Sequence, residues 1–303
     1  MSRLKLSGLV AATHTPFHED GSLNLEIVEK QCEHLLQNGV STAFIGGSTG
    51  ESHSLNVDER KKLTSRWMDV AQGTAMKVVV HVGSNCLVDA AALAQHASQS
   101  GAIAVAALSP SYFKPKSVEL LVACARQVAS AAPETPFYFY DIPVLTGVSL
   151  PMSEFLEQGR EVIPNLAGLK FTNPDLMSFQ LCLRAGRGSF DVPWGCDEFL
   201  LAALAMGATG AVGSTYNFAA PIYHRVLNAF AAGDLKTARE EQFRAVQMIQ
   251  ILVKHGFISA TKAVMVMLGV HVGPARLPHG PLSPEQFGQL KLELETIGFF
   301  DWV

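Results

Sequence analysis

The sequence predicts an α/β fold: a (β/α)8 TIM barrel carrying a C-terminal helical extension. Short runs rich in Val, Ile, Phe and Ala alternate with longer stretches of helical period up to about residue 220, and beyond it only the helical period remains. Each short run is apolar throughout, as befits a strand covered on both faces of a parallel sheet. Hydrophobic residues make up 48% of the 303-residue chain and charged residues 17%, which suits one large core rather than a disordered chain.

Candidate strands lie at 8–14, 42–46, 77–83, 102–108, 137–142, 166–171, 191–195 and 209–213. Between them, Asn24 is placed to cap a helix with Leu23 and Val28 as a hydrophobic staple. Asn56 and Glu59 form a capping-box pattern, and Asn173 precedes Pro174 at a first helical position. Gly39, Gly73 and Gly101 fall where helices should stop. A doubly wound open sheet is the other candidate, but no Gly-rich dinucleotide turn follows the first strand. Past residue 220, helices are expected from Pro221 to Phe230, over 235–255 up to Gly256, over 261–268, and after the capping sequence Ser283-Pro284-Glu285-Gln286. The chain thus divides into a barrel over 1–220 and a helical region over 221–303 packed on it.

A net charge of −4 gives no general reason to expect nucleic acid or an anionic membrane as a partner. The five cysteines are odd in number and scattered, with no CxxC pair, which is the free-thiol usage of a reducing compartment. Charge, Gly and Pro break the opening MSRLKLSGLVAATHTPF before a secretory signal develops, and no run of ~20 uncharged apolar residues follows. A cytoplasmic location is the expectation. Pro16 between His14 and His18 rules out a shared helical face, and His81 inside an apolar strand reads as a satisfied core histidine. HExxH, a carboxylate cluster, a P-loop and an assignable Ser–His–Asp order are all missing, so no metal is expected.

In a barrel, chemistry belongs where strands end and the following loops begin. GGSTGES at 46–52 lets backbone approach a ligand, and Ser48 and Thr49 supply hydroxyl and amide donors for a carboxylate or phosphate; the alternative is an ordinary Gly-rich turn. Lys170, between Leu169 and Phe171 near a strand end, is in an apolar setting that favours the neutral, nucleophilic amine, unless it snorkels to the rim. Tyr140 in FYFYDIP is suited to proton transfer beside an amine, or to core packing with a satisfied hydroxyl. In a regular strand Tyr138 would face the same way but deeper, and Asp141 the opposite way. Asp197 and Glu198, with Gly213 and Ser214, offer acceptors for a polyhydroxylated substrate, or the two carboxylates complement a helix N-terminus.

Six blocks, GLVAATHTPF (8–17), GGSTGES (46–52), HVG (81–83), FYFYDIPVLTGV (137–148), GLKFTNPDL (168–176) and CDEFLLAALAMGATGAVGSTYN (196–217), together resemble the dihydrodipicolinate synthase/N-acetylneuraminate lyase family of class I aldolases. The resemblance spans nearly the whole chain and implies the same barrel with its helical extension. It implies Lys170 as the Schiff-base lysine, Tyr140 as the catalytic tyrosine, and Ser48 and Thr49 as the pair holding a pyruvate carboxylate. It aligns Thr172, Gly195, Asp197, Glu198 and Ser214 with sugar contacts of the lyase branch, and sets Tyr112 near the family's inter-subunit tyrosine. Synthases carry an arginine five residues after the catalytic tyrosine. Here that position is Leu145, which cannot grip a distal carboxylate, so the lyase branch fits better. The implied activity is cleavage of N-acetylneuraminate, a sialic acid, to N-acetylmannosamine and pyruvate, with no metal or organic cofactor, in a homotetramer. Another 2-keto-3-deoxy sugar acid as substrate, or a non-catalytic carbohydrate-binding barrel, are the alternatives.

Overall fold

The computed structural model describes residues 4–303, so residues 1–3, which open the segment read for a secretory signal, lie outside the described residues. Seven parallel strands are regular: β1 (Gly8–Ala12), β2 (Thr42–Ile45), β3 (Lys77–His81), β4 (Ala104–Leu108), β5 (Phe137–Asp141), β6 (Leu166–Phe171) and β7 (Gly210–Gly213). They are ordered β6-β5-β4-β3-β2-β1-β7. The segment expected as a strand at 191–195 closes the ring between β6 and β7 through isolated bridges only, Gly168 to Asp191, Phe171 to Trp194, and Trp194 to Ala211.

Pro193 explains the lapse. Asp191 N donates to Ala167 O, Leu169 N to Asp191 O, and Phe171 N to Pro193 O. The next rung of a parallel ladder would run from residue 193 to Leu169 O, and proline has no N–H to supply it. The barrel is therefore complete in shape, with one irregular stave.

Alternation along the strands makes two cores. Val10, Ala12, Phe44, Val79, Ala106, Tyr138, Tyr140 and Val212 fill the barrel interior. Leu9, Ala11, Ile45, Val78, Val80, Phe137, Phe139, Leu169 and Phe171 face the surrounding helices. One irregularity matters for function: between Phe137 and Tyr138 the β5–β6 register shifts, from Phe137 opposite Leu166 to Tyr138 opposite Gly168. The bulge sets Tyr140 opposite Lys170 and turns the lysine inward.

Helix ends follow local chemistry. The Asn56–Glu59 capping box opens Val57–Ala71, and a Ser283–Gln286 capping box opens Pro284–Thr296. Gly39, Gly73 and Gly101 follow helix ends with φ of 72°, 76° and 88°. Two caps differ from expectation. The first helix begins at Ile27, capped by Glu26 without a side-chain bond, and the Asn24 backbone carbonyl, not its side chain, receives Ile27 N–H. Asn173 instead accepts from Asp175 N, and Asp175 caps Leu176–Gly188 through Ser178 N. A short polar side chain two residues downstream competes for the same role. After β7 come helices Ala220–Ala231, Leu235–Lys254, Phe257–Met267 and Pro284–Thr296, the third starting earlier than its period suggests. Among the described residues, no single helix is long and apolar enough to cross a membrane.

At the N-terminal end of the barrel, buried Asp191 accepts Leu6 N at 2.7 Å and the Tyr138 hydroxyl at 2.8 Å. Asp191→Ala should cost about 1–3 kcal/mol by leaving Leu6 N unpaired and the Tyr138 hydroxyl with only Leu4 O, at 3.2 Å, to accept from it, while Asp191→Asn retains most of the stability. Thermal unfolding checks this, and an unchanged Asp191→Ala midpoint would contradict it.

Candidate active site

Lys170 reaches the barrel mouth near the end of β6, and its side chain is only 3% exposed. Its Nζ lies 3.7 Å from the centroid of the Tyr140 ring and 5.3 Å from that of Phe44. It donates to Thr172 Oγ1 at 2.9 Å and forms no ion pair among the described residues. The snorkelling alternative does not describe this lysine: it turns into the barrel rather than out to solvent.

Hydroxyl groups gather around the amine. The Tyr140 hydroxyl is 3.3 Å from Ser48 Oγ, and Thr49 Oγ1 is 2.6 Å from Ser214 Oγ. Ser214, read as an acceptor for a polyhydroxylated substrate, therefore lies beside the GGSTGES turn. A closed barrel brings its last strand back to its first: β7 pairs with β1, which in turn pairs with β2. Gly195 is required by close approach: a Cβ there would collide with Thr172 Oγ1, the acceptor of the Lys170 amine.

Asp197 is buried, and its Oδ2 accepts Thr215 N at 2.8 Å and Thr215 Oγ1 at 2.6 Å. Burial raises its pKa to about 6, against the pull of Thr215 and, more weakly, Lys170. Its partners are on the loop after β7, so complementing its own helix N-terminus is not its use. Gly213 lets the carboxylate close in, since a Cβ there would meet Asp197 Oδ1. Glu198 is half-buried and forms no ion pair among the described residues. Tyr138 and Tyr140 share the barrel interior while Asp141, buried on the other face, has its pKa raised to about 7 by desolvation. Tyr112 is 80% exposed and stacks edge-on with Phe113.

Sequence reasoning missed two groups. His81 is not simply core: its ring packs edge-on against Tyr140 at 5.7 Å, and its Nδ1 is 2.8 Å from Gly46 O. A carbonyl only accepts, so Nδ1 carries the proton; burial holds the ring neutral, and Nε2 has no partner among the described residues. Arg60, buried on helix Val57–Ala71, donates to His81 O and Gly83 O, both at 2.8 Å. Val79 and His81 share the inward parity of β3, and that was the signal available for His81. Arg60 gave none, because its partners are distant in sequence. Among the described residues, no three His, Cys, Asp or Glu side chains gather as a metal site would need.

The chain is similar to known proteins over nearly its whole length. The chicken (Gallus gallus) N-acetylneuraminate lyase is 42% identical over 299 residues, covering 97% of each chain. The rat (Rattus norvegicus) N-acetylneuraminate lyase is 39% identical over 302 residues, covering 98% of this chain and 94% of its own. Among solved structures, Proteus mirabilis N-acetylneuraminate lyase superposes with a TM-score of 0.95 at 40% identity, covering 98% of this chain and all (100%) of that one. A dihydrodipicolinate synthase from Cyanidioschyzon merolae with lysine bound shares the fold at a TM-score of 0.89 but only 27% identity, covering 97% of this chain and 98% of that one. The model of the dihydrodipicolinate synthetase family matches residues 5–297, and the chain belongs to that family.

Proposed function

We propose that this chain cleaves N-acetylneuraminate to N-acetylmannosamine and pyruvate through an imine on Lys170. The observation that carries the reading is a buried primary amine with no carboxylate partner among the described residues, packed against a tyrosine ring in a cluster of hydroxyls. Relatives about 40% identical over nearly the full chain, named N-acetylneuraminate lyases, support it.

Lys170, as the free amine, attacks C2 of the open-chain substrate, and loss of water gives a protonated imine. A base takes the C4 hydroxyl proton, and the C3–C4 bond breaks toward the imine. N-acetylmannosamine leaves as its aldehyde, and the remaining enamine is protonated at C3. Water then hydrolyses the imine, releasing pyruvate and restoring the amine. The imine is itself the electron sink, so the chemistry calls for no cofactor. Tyr140 carries the proton in this reading, since its ring packs against the amine and its hydroxyl is 3.3 Å from Ser48 Oγ. Ser48 and Thr49 take the carboxylate, and Thr172, Gly195, Asp197, Glu198 and Ser214 line the sugar.

The same reading extends to a homotetramer in the cytoplasm. Tyr112, Phe113, Val144 and Leu145 are 80%, 86%, 84% and 62% exposed, apolar surface that a second subunit would cover. Sedimentation at micromolar concentration should show the tetramer; a fully active monomer would refute the assembly.

One variant series tests the chemistry. Lys170→Ala should lose both pyruvate trapping by borohydride and sugar cleavage, the latter by several orders of magnitude. Asp197→Ala and Glu198→Ala should keep trapping yet lose on the order of ten- to a hundredfold in cleavage, the loss of ~1–3 kcal/mol per unpaired polar group. Cleavage by a folded Lys170→Ala protein would sink the imine, and undiminished cleavage in both acid variants would remove them from the sugar site.

A further inference from the structure

The turn that carries Ser48 and Thr49 is held from the far end of the chain. Glu51, in the same turn, has φ 55° and ψ 37°, the left-handed region, and is one of two non-glycine residues with positive φ among those described. A glutamate adopts that conformation only where its surroundings enforce it. Its backbone is coupled to the ligand side of the turn, because Glu51 N donates to Ser48 O at 3.0 Å and Ser52 N to Gly47 O at 3.2 Å.

What enforces it lies in the C-terminal region, on helix Phe257–Met267 and the segment after it. Lys262, on helix Phe257–Met267, is 2% exposed, and its Nζ forms a 2.7 Å ion pair with Glu51 Oε1. The same ammonium donates to Pro274 O at 2.8 Å and lies 4.2 Å from the centroid of the Phe17 ring. The other Glu51 oxygen accepts Arg276 N at 2.7 Å. The Arg276 guanidinium reaches Glu59 at 2.6 and 2.9 Å and donates to Gly21 O and Ser54 O. Both carboxylate oxygens are thus fixed, one by a buried cation and one by backbone. A group whose only task was to tie a helix to the barrel would have no need of strained backbone at its base.

We propose that Glu51 and Lys262 are a positioning pair for the reaction: their ion pair holds the 46–52 turn in the one conformation that presents Ser48 and Thr49 to the carboxylate of a 2-keto acid. The inference rests on the imine reading above. It gives the helical region a part in binding pyruvate, although no residue of it touches the amine. Removing one partner strands a buried charge, whereas removing both does not. Glycine, unlike glutamine, takes the left-handed conformation freely and has no need of the clamp.

The test is the pyruvate concentration giving half-maximal borohydride trapping on the full-length protein, measured alongside thermal stability. Glu51→Gln and the double variant Glu51→Gln/Lys262→Met should raise that concentration at least tenfold, with the same amount of adduct at saturation. Glu51→Gly/Lys262→Met should recover most of the loss. A purely structural role would lower the melting midpoint of all three and leave the half-saturating concentration unchanged, which would overturn the proposal. It would equally be overturned if the glycine double variant bound pyruvate no better than the glutamine one. If the single variant fails to fold, the two double variants, which leave no stranded charge, decide the matter. No trapping in the unaltered protein would overturn the imine reading itself; normal trapping with unmoved half-saturation overturns only the positioning pair.

Discussion

The pairing of β5 with β6 sets Tyr140 directly across from Lys170, and the rest of the site is arranged around that contact. A one-residue bulge makes it possible. Without the register shift after Phe137, Tyr140 would face Leu169, and Lys170 would pair with Asp141 on the outer face. With it, the lysine enters the barrel and its amine rests 3.7 Å from the centre of the phenol ring. The bulge depends in turn on Gly168, where a Cβ would collide with the Asp191 backbone of the irregular stave. Closure of the barrel and orientation of Lys170 are therefore one constraint.

Around the amine the site uses neutral groups. Thr172, Ser48, Thr49, Ser214 and the Tyr140 hydroxyl are all polar without charge. The buried acid Asp197 accepts from Thr215 and does not pair with the amine. A carboxylate bonded to the amine would favour the ammonium form and block attack on a carbonyl. Thr172 Oγ1 accepts from the amine without bringing a charge to it. Other charged groups stand one layer back: Arg60 grips the backbone of β3 and its following loop, and Lys262 pairs with Glu51 in the 46–52 turn.

Much of this was legible in the sequence, and the rest was not for definite reasons. Strand and helix order followed from apolar periodicity, and the capping boxes at Asn56 and Ser283 are local patterns that a chain forms wherever they occur. Lys170 stood out because lysine is rare between Leu and Phe in a strand. The stave at 191–195 looked like any other strand until the missing N–H of Pro193 was set against its partner carbonyl. Asn24 and Asn173 were outcompeted as caps by backbone and by Asp175. The contact of Ser214 with Thr49 was not legible because order along the chain is not distance around a closed ring. Glu51 and Lys262 are 211 positions apart, and no local pattern announces a contact of that range.

The central claim is that the reacting atom is the Lys170 amine. The most direct measurement is to reduce the protein with borohydride in the presence of pyruvate and locate the adduct by mass spectrometry of its peptides. The account requires a single added pyruvate-derived group on the peptide containing Lys170, with none when borohydride is omitted. An adduct on Lys262 or another lysine, or none at all in active protein, would contradict it.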